Sequence, residues 1–368
     1  MSATRTAPAA SSAASRQWQL GQPIWNLTLN TRGDWVVGAL GNGSLVVLPS
    51  DDAGEDPRVM EAHKGVSLEL CADADDHAFL SGGDDGQLLL VDPQLAVPTI
   101  LATQPQGRWI DHVAASADGF RAYARGKTLF RLNEEGQEQV PPFALPSSIG
   151  GLAFSPNGKR LAVAHYGGVS LFWVNAPETQ PDLLPWKGSH LALLWSPAGD
   201  FLLSSMQDGA VHGWQLEGGK PLAEKGREMH MQGYQTKIAS MRFTAGKKPY
   251  LATSGAAQVV CWPFHDGGPW EKQPLMLGGE EGRLVSHVAP HPRDPMVAAG
   301  YDDGMVILAP LDGRMEIMIH PPAGKGAAVT GMVWDKDGQT MIVSLENGTL
   351  LLFTLASISR FVRGQFGG

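Results

Sequence analysis

Histidine and carboxylate side chains recur near the starts of predicted strands. The candidates for holding a metal ion are His112, His190 and His287, with Glu69 and Asp111 as acidic neighbours. Imidazole and carboxylate groups are ligands that zinc accepts. The five residues come from four different repeats, so their spacing does not establish that they meet at one ion. We favour the interpretation that they are hydrated or hydrogen-bonded lining residues, and no cofactor is predicted.

Other groups that could do chemistry are sparse. The sequence has no GxSxG, GxxxxGK[ST], HExxH or CxxC motif. The acidic stretch at residues 73–76 coincides with a predicted turn, where aspartate is common in a solvated position. Met229-His230-Met231 has soft ligands for copper, but it falls on a predicted outer strand or loop, where a packing role is favoured. We therefore predict that the protein is not an enzyme.

Aromatic and cationic residues collect in the loops that lead into the first strand of each repeat. Trp, Tyr and Arg dominate the binding energy of many interfaces because they bury large areas and keep a polar group. A cationic, aromatic face on an acidic protein suits acidic or phosphorylated segments of other proteins. The predicted partner-binding residues are Trp25, Arg108, Trp109, Trp186, Lys187, Tyr234, Lys237 and Arg283.

The elements that would position these residues are revealed by glycine-centred turns. Asn-Gly or Asp-Gly pairs, which tolerate the positive φ of tight hairpins, separate short apolar runs along the whole chain. The position that opens each unit recurs every 39 to 48 residues, at Ile24, Val66, Ile110, Ile149, His190, Ile238, Leu284 and Val329. Each unit reads as strands a, b and c, followed by a strand d that leads to the next unit.

Units of this length with four strands each predict an all-β fold, a single β-propeller. Eight four-stranded blades are predicted, with seven as the alternative, and strand a lines the central channel. One strand d is missing from the count, and residues 17–20, which include Trp18, are placed to supply it and close the ring. The predicted boundaries are a flexible tail at 1–16, the propeller at 17–357 and a C-terminal tail at 358–368, with almost no helix.

Two segments carry a family resemblance. Residues 81–92 (SGGDDGQLLLVD) and 204–214 (SSMQDGAVHGW) are similar to the second half of a WD40 repeat, and residues 153–158 (AFSPNG) are similar to its first turn. The resemblance extends over residues 18–355 and implies a WD40-type propeller. It also implies that a hydrogen-bonded set of His, Ser or Thr, Asp and Trp ties each blade. The matching structural residues are Ser81, Asp85, Ser204, Asp208 and Trp214; His63 accompanies Ser81 and Asp85, and no repeat has all four.

Composition and charge exclude several classes of protein. The chain has 368 residues, 43% of them hydrophobic, which excludes a disordered chain. A net charge of −9 argues against a broad nucleic-acid surface. Two cysteines fit a reducing compartment, and without a long apolar run we expect a cytoplasmic monomer that binds neither nucleic acid nor membrane. The high Ala, Gly and Pro content suggests a bacterial source.

The resemblance to WD40 repeats implies a non-catalytic scaffold that presents a rigid propeller face to partner proteins. The alternative is a metal-handling propeller that uses the channel histidines. A channel-site hydrolase or lactonase is less expected, since Glu69 and Asp111 are the only inward carboxylates that the pattern places.

Overall fold

A computed structural model describes residues 3–105, 108–222, 229–279 and 282–366. By their internal contacts the residues form two compact units, one made of Met1–Glu61 with Ala239–Gly368 and the other of Ala62–Ile238. We call them the first unit and the second unit. Within the described ranges the strands assemble into seven sheets, and strand pairing inside each sheet is antiparallel throughout.

The first unit begins with strands from the N-terminal segment. They are β1 (Thr4–Thr6), β2 (Arg16–Gln19), β3 (Ile24–Leu29), β4 (Trp35–Leu40), β5 (Leu45–Pro49) and β6 (Arg58–Met60). Strands β3 to β6 form one four-stranded sheet in chain order. Its turn at Asn42-Gly43 has a φ of 83° at the glycine, as the hairpin signal predicts.

The second unit holds β7 to β21. The strands are β7 (Ser67–Ala72), β8 (Phe79–Gly83), β9 (Gln87–Val91), β10 (Thr99–Thr103), β11 (His112–Ala115), β12 (Arg121–Arg125), β13 (Thr128–Leu132), β14 (Phe143–Ala144), β15 (Ile149–Phe154), β16 (Arg160–Trp173), β17 (Asp182–Trp195), β18 (Phe201–Met206), β19 (Val211–Glu217), β20 (Lys220–Pro221) and β21 (Met229–Met231). Two four-stranded sheets, β7 to β10 and β11 to β14, precede one seven-stranded sheet, β15 to β21.

The first unit continues after residue 239 with β22 (Met241–Phe243), β23 (Tyr250–Thr253), β24 (Val259–Pro263), β25 (Leu275–Leu277), β26 (Val285–Pro290), β27 (Met296–Tyr301), β28 (Val306–Pro310), β29 (Ile317–His320), β30 (Val329–Trp334), β31 (Thr340–Leu345), β32 (Thr349–Thr354) and the helix α1 (Leu355–Phe366). Strands β22 to β25 and β26 to β29 form two four-stranded sheets. Strands β30 to β32 join β2 and β1 in a five-stranded sheet.

The predicted closing strand is confirmed. Strand β2 pairs with β32, with Trp18 opposite Leu350, so the N-terminus completes the sheet that the C-terminal repeat begins. Trp18 is fully buried, and its indole Nε1 donates to Asp56 Oδ1 at 2.8 Å. Burying an indole of this size contributes about 2 to 3 kcal/mol from its apolar area.

Each of the eight sequence units has its first strand in the structure. Counted as hydrogen-bonded sheets of the described residues, however, the blades number seven, which is the alternative count, and the prediction of eight separate blades is wrong. The reason is that β17 carries both the last strand of the fourth unit and the first strand of the fifth. Gly188, with a φ of 126°, makes the bend between these two parts.

Both chain ends differ from the predicted tails. Thr4–Thr6 pairs with β2, and the backbone N–H of Ala13 donates to the carbonyl of Ile319. Helix α1 forms where almost no helix is predicted, because Thr354 Oγ1 accepts from the Ser357 N–H as an N-cap and an apolar side buries Ile358. In the part of the chain that the structure describes, no helix has the length and apolarity needed to span a membrane.

Candidate functional site: an aromatic rim and two histidine clusters

The strand starts of the second unit lie side by side along one edge. The Asp111 backbone N–H donates to the carbonyl of Ala124, and Asp111 Oδ2 accepts from the Gly126 N–H at 2.6 Å. The Gly126 carbonyl in turn accepts from the Ile149 N–H at 2.8 Å. The loop before β11 therefore lies next to the turn between β12 and β13, which lies next to the start of β15.

The same edge continues through the next repeats. The Tyr166 N–H donates to Ser147 Oγ at 2.9 Å, and Tyr166 is the register partner of Ser189 in β17. A Cβ at Gly209 would lie 3.2 Å from the carbonyl of Thr236, so the β18–β19 turn touches the loop that follows β21. Hydrogen bonds and close contacts thus connect all these loops within the second unit.

We call the residues on this edge the aromatic rim. Trp109 is 56% exposed and Tyr166 is 58% exposed, which is high for side chains of their size. Three cationic side chains beside them are exposed as well, and Tyr234 is half-buried. The members of the aromatic rim are Arg108, Trp109, Tyr166, Lys187, Tyr234 and Lys237.

Tyr166 is a rim residue that the sequence analysis missed. The signal was present, because a large aromatic residue precedes Gly167-Gly168 in a turn where five other repeats have Asn-Gly or Asp-Gly. Gly167 has a φ of 91° and makes the hairpin inside β16. Tyr166 lies in a turn between strands b and c, whereas the aromatic and cationic residues that the sequence pattern picks out lie in the loops before strand a.

Trp186 occupies a different environment from its predicted place on a binding face. It is half-buried and stacks on His212 with ring centroids 3.8 Å apart and an interplanar angle of 13°. Its second ring neighbour is His230, at 5.2 Å. The structure thus directs Trp186 into a cluster of rings, while the adjacent Lys187 stays exposed.

The other two predicted partner-binding residues belong to the first unit. Trp25 is 51% exposed at the second position of β3. The guanidinium of Arg283 is paired with Asp303, whose Oδ2 accepts from Nε at 2.5 Å. The charge of Arg283 is therefore balanced within its own repeat.

The second repeat contains a hydrogen-bonded network around His63. His63 Nδ1 donates to Asp85 Oδ1 at 3.0 Å, and His63 Nε2 lies 2.8 Å from the hydroxyl of Ser81. The hydroxyl oxygens of Ser81 and Ser67 are in turn 2.9 Å apart. Burial raises the pKa of Asp85, but hydrogen bonds from the Lys64 backbone and from His63 outweigh it, and the net pKa is lowered. We call these residues the His63 network.

In the fifth repeat, His190 takes the histidine place that the family resemblance left unassigned. His190 Nδ1 lies 3.1 Å from Ser204 Oγ, and His190 Nε2 donates to the carbonyl of Trp186. Trp214 packs against this ring at 5.5 Å, whereas Asp208 is exposed. Burial lowers the pKa of His190. The missing histidine is therefore supplied by strand a rather than by the loop before it.

The three metal candidates of the second and third repeats are held by contacts within the second unit. His112 Nδ1 donates to Glu69 Oε2 at 2.7 Å. Burial lowers the pKa of His112, but the Glu69 carboxylate outweighs burial and the net pKa is raised. Asp111 accepts the backbone N–H described above. Glu69 thus accepts a hydrogen bond from the next sheet, and Asp111 accepts one from a turn of its own repeat.

The other two candidates also have protein partners. His190 is bonded as described, and His287 of the first unit lies with Nδ1 2.8 Å from the carbonyl of Val329. Burial lowers the pKa of His287 to about 4, so this imidazole is neutral near pH 7. Among the described residues, no three His, Cys, Asp or Glu side chains are grouped as ligands for a metal ion.

Asp73 is the residue whose role the sequence pattern misjudged. Its carboxylate is buried and accepts two hydrogen bonds from Arg121, from Nε at 2.8 Å and from Nη2 at 2.7 Å. The pair joins the end of β7 to the start of β12. An aspartate in a turn was expected to be solvated, but a bidentate guanidinium from the next repeat makes burial favourable.

No known protein-family model and no curated protein sequence matches the chain. Solved structures do match it. The computationally designed Ika8 protein superposes with a TM-score of 0.68 at 17% identity, over 92% of this chain and 98% of that one. The C-terminal WD40 domain of Sif2 superposes with a TM-score of 0.70 at 14% identity, over 91% of this chain and 96% of that one.

These similarities and the sheets described above define the class of fold. The chain has the all-β fold of a single WD40-type β-propeller, as the sequence resemblance implies. Propellers of this kind are commonly protein-interaction scaffolds. The identity is too low to carry over a partner or an activity, so function must be argued from the residues of this chain.

Proposed function

We propose that this protein is a non-catalytic interaction scaffold that binds acidic or phosphorylated segments of partner proteins along the aromatic rim. The observation that carries the proposal is Trp109, which is more than half exposed and follows directly on the exposed Arg108. An exposed indole beside exposed cations is a typical anchor of a protein interface. The hydrogen bond between Asp111 and Gly126 already holds the adjoining backbone, so little conformational entropy is lost on binding.

The charges of the aromatic rim support an acidic partner. Arg108, Lys187 and Lys237 are exposed on a protein whose net charge is −9. Acidic segments are repelled by most of such a surface and attracted only where cations collect, which favours one docking position. Arg108 offers a planar, bidentate group for a carboxylate or a phosphate.

The inward carboxylates support the non-catalytic part of the proposal. A general acid or base must have a proton or lone pair available to the substrate. Glu69 instead accepts from His112, and Asp111 accepts from a backbone N–H. Both groups have a structural use in the repeats that contain them.

Peptide binding tests the role of the rim aromatics. The probes are synthetic peptides rich in glutamate or phosphoserine and neutral peptides of the same length, titrated by calorimetry. We expect binding of the acidic peptides and about 30-fold weaker binding after Trp109→Ala, which corresponds to the roughly 2 kcal/mol of an interface hot spot. The matched control is Leu183→Ala, which removes a side chain that is 55% exposed on the part of β17 that forms strand d. Equal affinities for the wild type and Trp109→Ala would overturn the proposal.

Charge reversal tests the partner chemistry separately. The combined variant Arg108→Glu, Lys187→Glu and Lys237→Glu should abolish the binding of acidic peptides and remove its dependence on salt. Arg283→Glu serves as the control, since Arg283 is already paired with Asp303. If the triple variant binds acidic peptides as well as the wild type does, the partner is not acidic. If, in that case, only Trp109→Ala weakens peptide binding, the partner contacts the aromatic rim through apolar groups.

A further inference from the structure

Two histidines face each other across the outer strands of the fifth repeat. His212 in β19 and His230 in β21 are direct register partners in an antiparallel pair, so their side chains leave the sheet on the same face. Their ring centroids are 5.7 Å apart. That separation matches two imidazoles that share one ion, since each metal–nitrogen bond is about 2 Å and each ring adds its own radius.

Both rings have a buried nitrogen that is unpaired among the described residues. The Nδ1 atoms of His212 and His230 are inaccessible to solvent and make no hydrogen bond to the part of the chain that the structure describes. His212 as a whole is only 3% exposed. Buried polar atoms are normally satisfied, and leaving one unpaired costs about 1 to 3 kcal/mol. Because the two unpaired Nδ1 atoms belong to facing rings, one bound ion could satisfy both.

The surroundings of the pair are aromatic and dry. Trp186 stacks on His212 and lies 5.2 Å from His230, and Trp214 meets His212 edge to face at 4.7 Å. Met229 and Met231 alternate with His230 along β21, so their thioethers leave the sheet on the opposite face. The Met-His-Met sequence thus offers only its imidazole to this face.

We propose that His212 and His230 bind one monovalent copper ion between their Nδ1 atoms. Cu⁺ is satisfied by two nitrogen ligands, whereas Zn²⁺ requires four and Mg²⁺ or Ca²⁺ requires oxygen. Two is the number of ligands that this pair supplies, in keeping with the lack of a three-ligand group among the described residues. The face of Trp186 adds a cation–π contact to a charge held in an apolar site.

Gln232 supplies an outer contact for the site. Its side-chain amide lies 2.6 Å from His230 Nε2, the nitrogen that faces away from the proposed ion. With its carbonyl turned toward this nitrogen, the amide oxygen would accept a hydrogen bond from Nε2–H, which keeps the proton on Nε2 and leaves the Nδ1 lone pair for the metal. Such contacts fix the tautomer and the orientation of a ligand histidine.

Anaerobic titration with Cu⁺ against the chelator bicinchoninate tests the site. We expect one ion per chain, quenching of the Trp186 fluorescence, and an X-ray absorption spectrum with two nitrogen neighbours. His230→Asn should abolish the one-to-one complex, and Gln232→Ala should weaken it about tenfold. His165→Asn is the matched control, because His165 is buried in the same unit but both of its nitrogens are bonded, to Tyr166 and Ser170.

Circular dichroism of each variant separates loss of a ligand from loss of the fold. His212→Asn is the second test, and it should also abolish binding. Preference for Zn²⁺ over Cu⁺, or a complex that survives both His230→Asn and His212→Asn, would overturn the proposal. The peptide-binding function of the aromatic rim does not depend on this result.

Discussion

The second and fifth repeats, both within residues 62–238, organise their polar interiors in different ways. In the second repeat, His63, Ser81 and Asp85 form a continuous chain of hydrogen bonds. In the fifth repeat, His190 is hydrogen-bonded to Ser204 and to the carbonyl of Trp186, and stacked or edge-on rings surround it. The interior of the second repeat is therefore stabilised by a chain of directional bonds, and that of the fifth by directional bonds together with ring packing.

The difference follows from one side chain in each repeat. The second repeat has Val91 where the fifth has Trp214, so it lacks an indole against which a histidine ring can pack. Its histidine has hydrogen-bond partners on both nitrogens, as His190 also has, but in the fifth repeat Trp214 packs against the histidine ring as well. Hydrogen-bonded networks are sensitive to the loss of any member, because a buried polar atom is then left unpaired, whereas stacked rings tolerate another ring in the same place.

The largest expected effect is on the His63 network. His63→Ala leaves Ser81, which is fully buried, and Asp85 without their shared partner. We expect a loss of about 3 kcal/mol in the free energy of unfolding, measured by urea denaturation. A double-mutant cycle with Ser81→Ala should show that the two losses are not additive, because both break one network. Simple additivity would mean that the residues act independently.

Substitutions in the stacked cluster should cost less stability, and an aromatic replacement should be tolerated there. Trp186→Ala removes a half-buried ring from His212 and should destabilise the protein by about 2 kcal/mol. Trp186→Phe should recover more than half of this loss, because it keeps a ring on the face of His212. His63→Phe, in contrast, should be no better than His63→Ala. If phenylalanine rescues both positions or neither, the distinction between the two repeats is wrong.

Sequence patterns predicted much of the fold, because hairpin turns and strand periodicity are determined by residues that are close together in the chain. Glycine turns identified the first strand of every repeat, and the count of strands identified the segment around Trp18 as the closing strand. The shared sheet of the fourth and fifth repeats was not foreseen, since the continuation of β17 past Gly188 depends on packing. Helix α1 was missed because its apolar side is short. That side is stabilised by packing against the core that it covers, which the local sequence does not show.

The candidate site was less predictable because it depends on register and on contacts between repeats. His63, Ser81 and Asp85 were found from their similarity to a known repeat. The facing of His212 and His230 requires the register of β19 against β21, which no local pattern gives. The burial of Asp73 likewise depends on Arg121, almost fifty residues away in the next repeat. Loop composition predicted the exposure of Trp109 but not the inward turn of Trp186.

The smallest effect is a pH dependence that separates the two repeats. Burial lowers the pKa of His212 to about 3, with the neighbouring His230 and His190 adding to the effect. The unfolded chain takes up the proton near pH 6.5 and the folded one only far below, so stability is lost as the pH falls below about 6.5. Between about pH 7 and pH 5.5 the loss from His212 should be about 1 kcal/mol.

The variant His212→Phe isolates this contribution, because it keeps the stacked ring and removes the titrating group. The free energy of unfolding in urea should be measured for the wild type and for His212→Phe. Relative to the variant, the wild type should lose about 1 kcal/mol of this free energy between pH 7 and pH 5.5. Asp85 of the His63 network should contribute no comparable change in that range, since its pKa is lowered and its contribution to stability is lost only at more acidic pH. A parallel pH dependence in wild type and variant would mean that His212 is as easily protonated in the folded protein as in the unfolded chain. The stacked cluster would then be open to water, and its contrast with the buried hydrogen bonds of the second repeat would disappear.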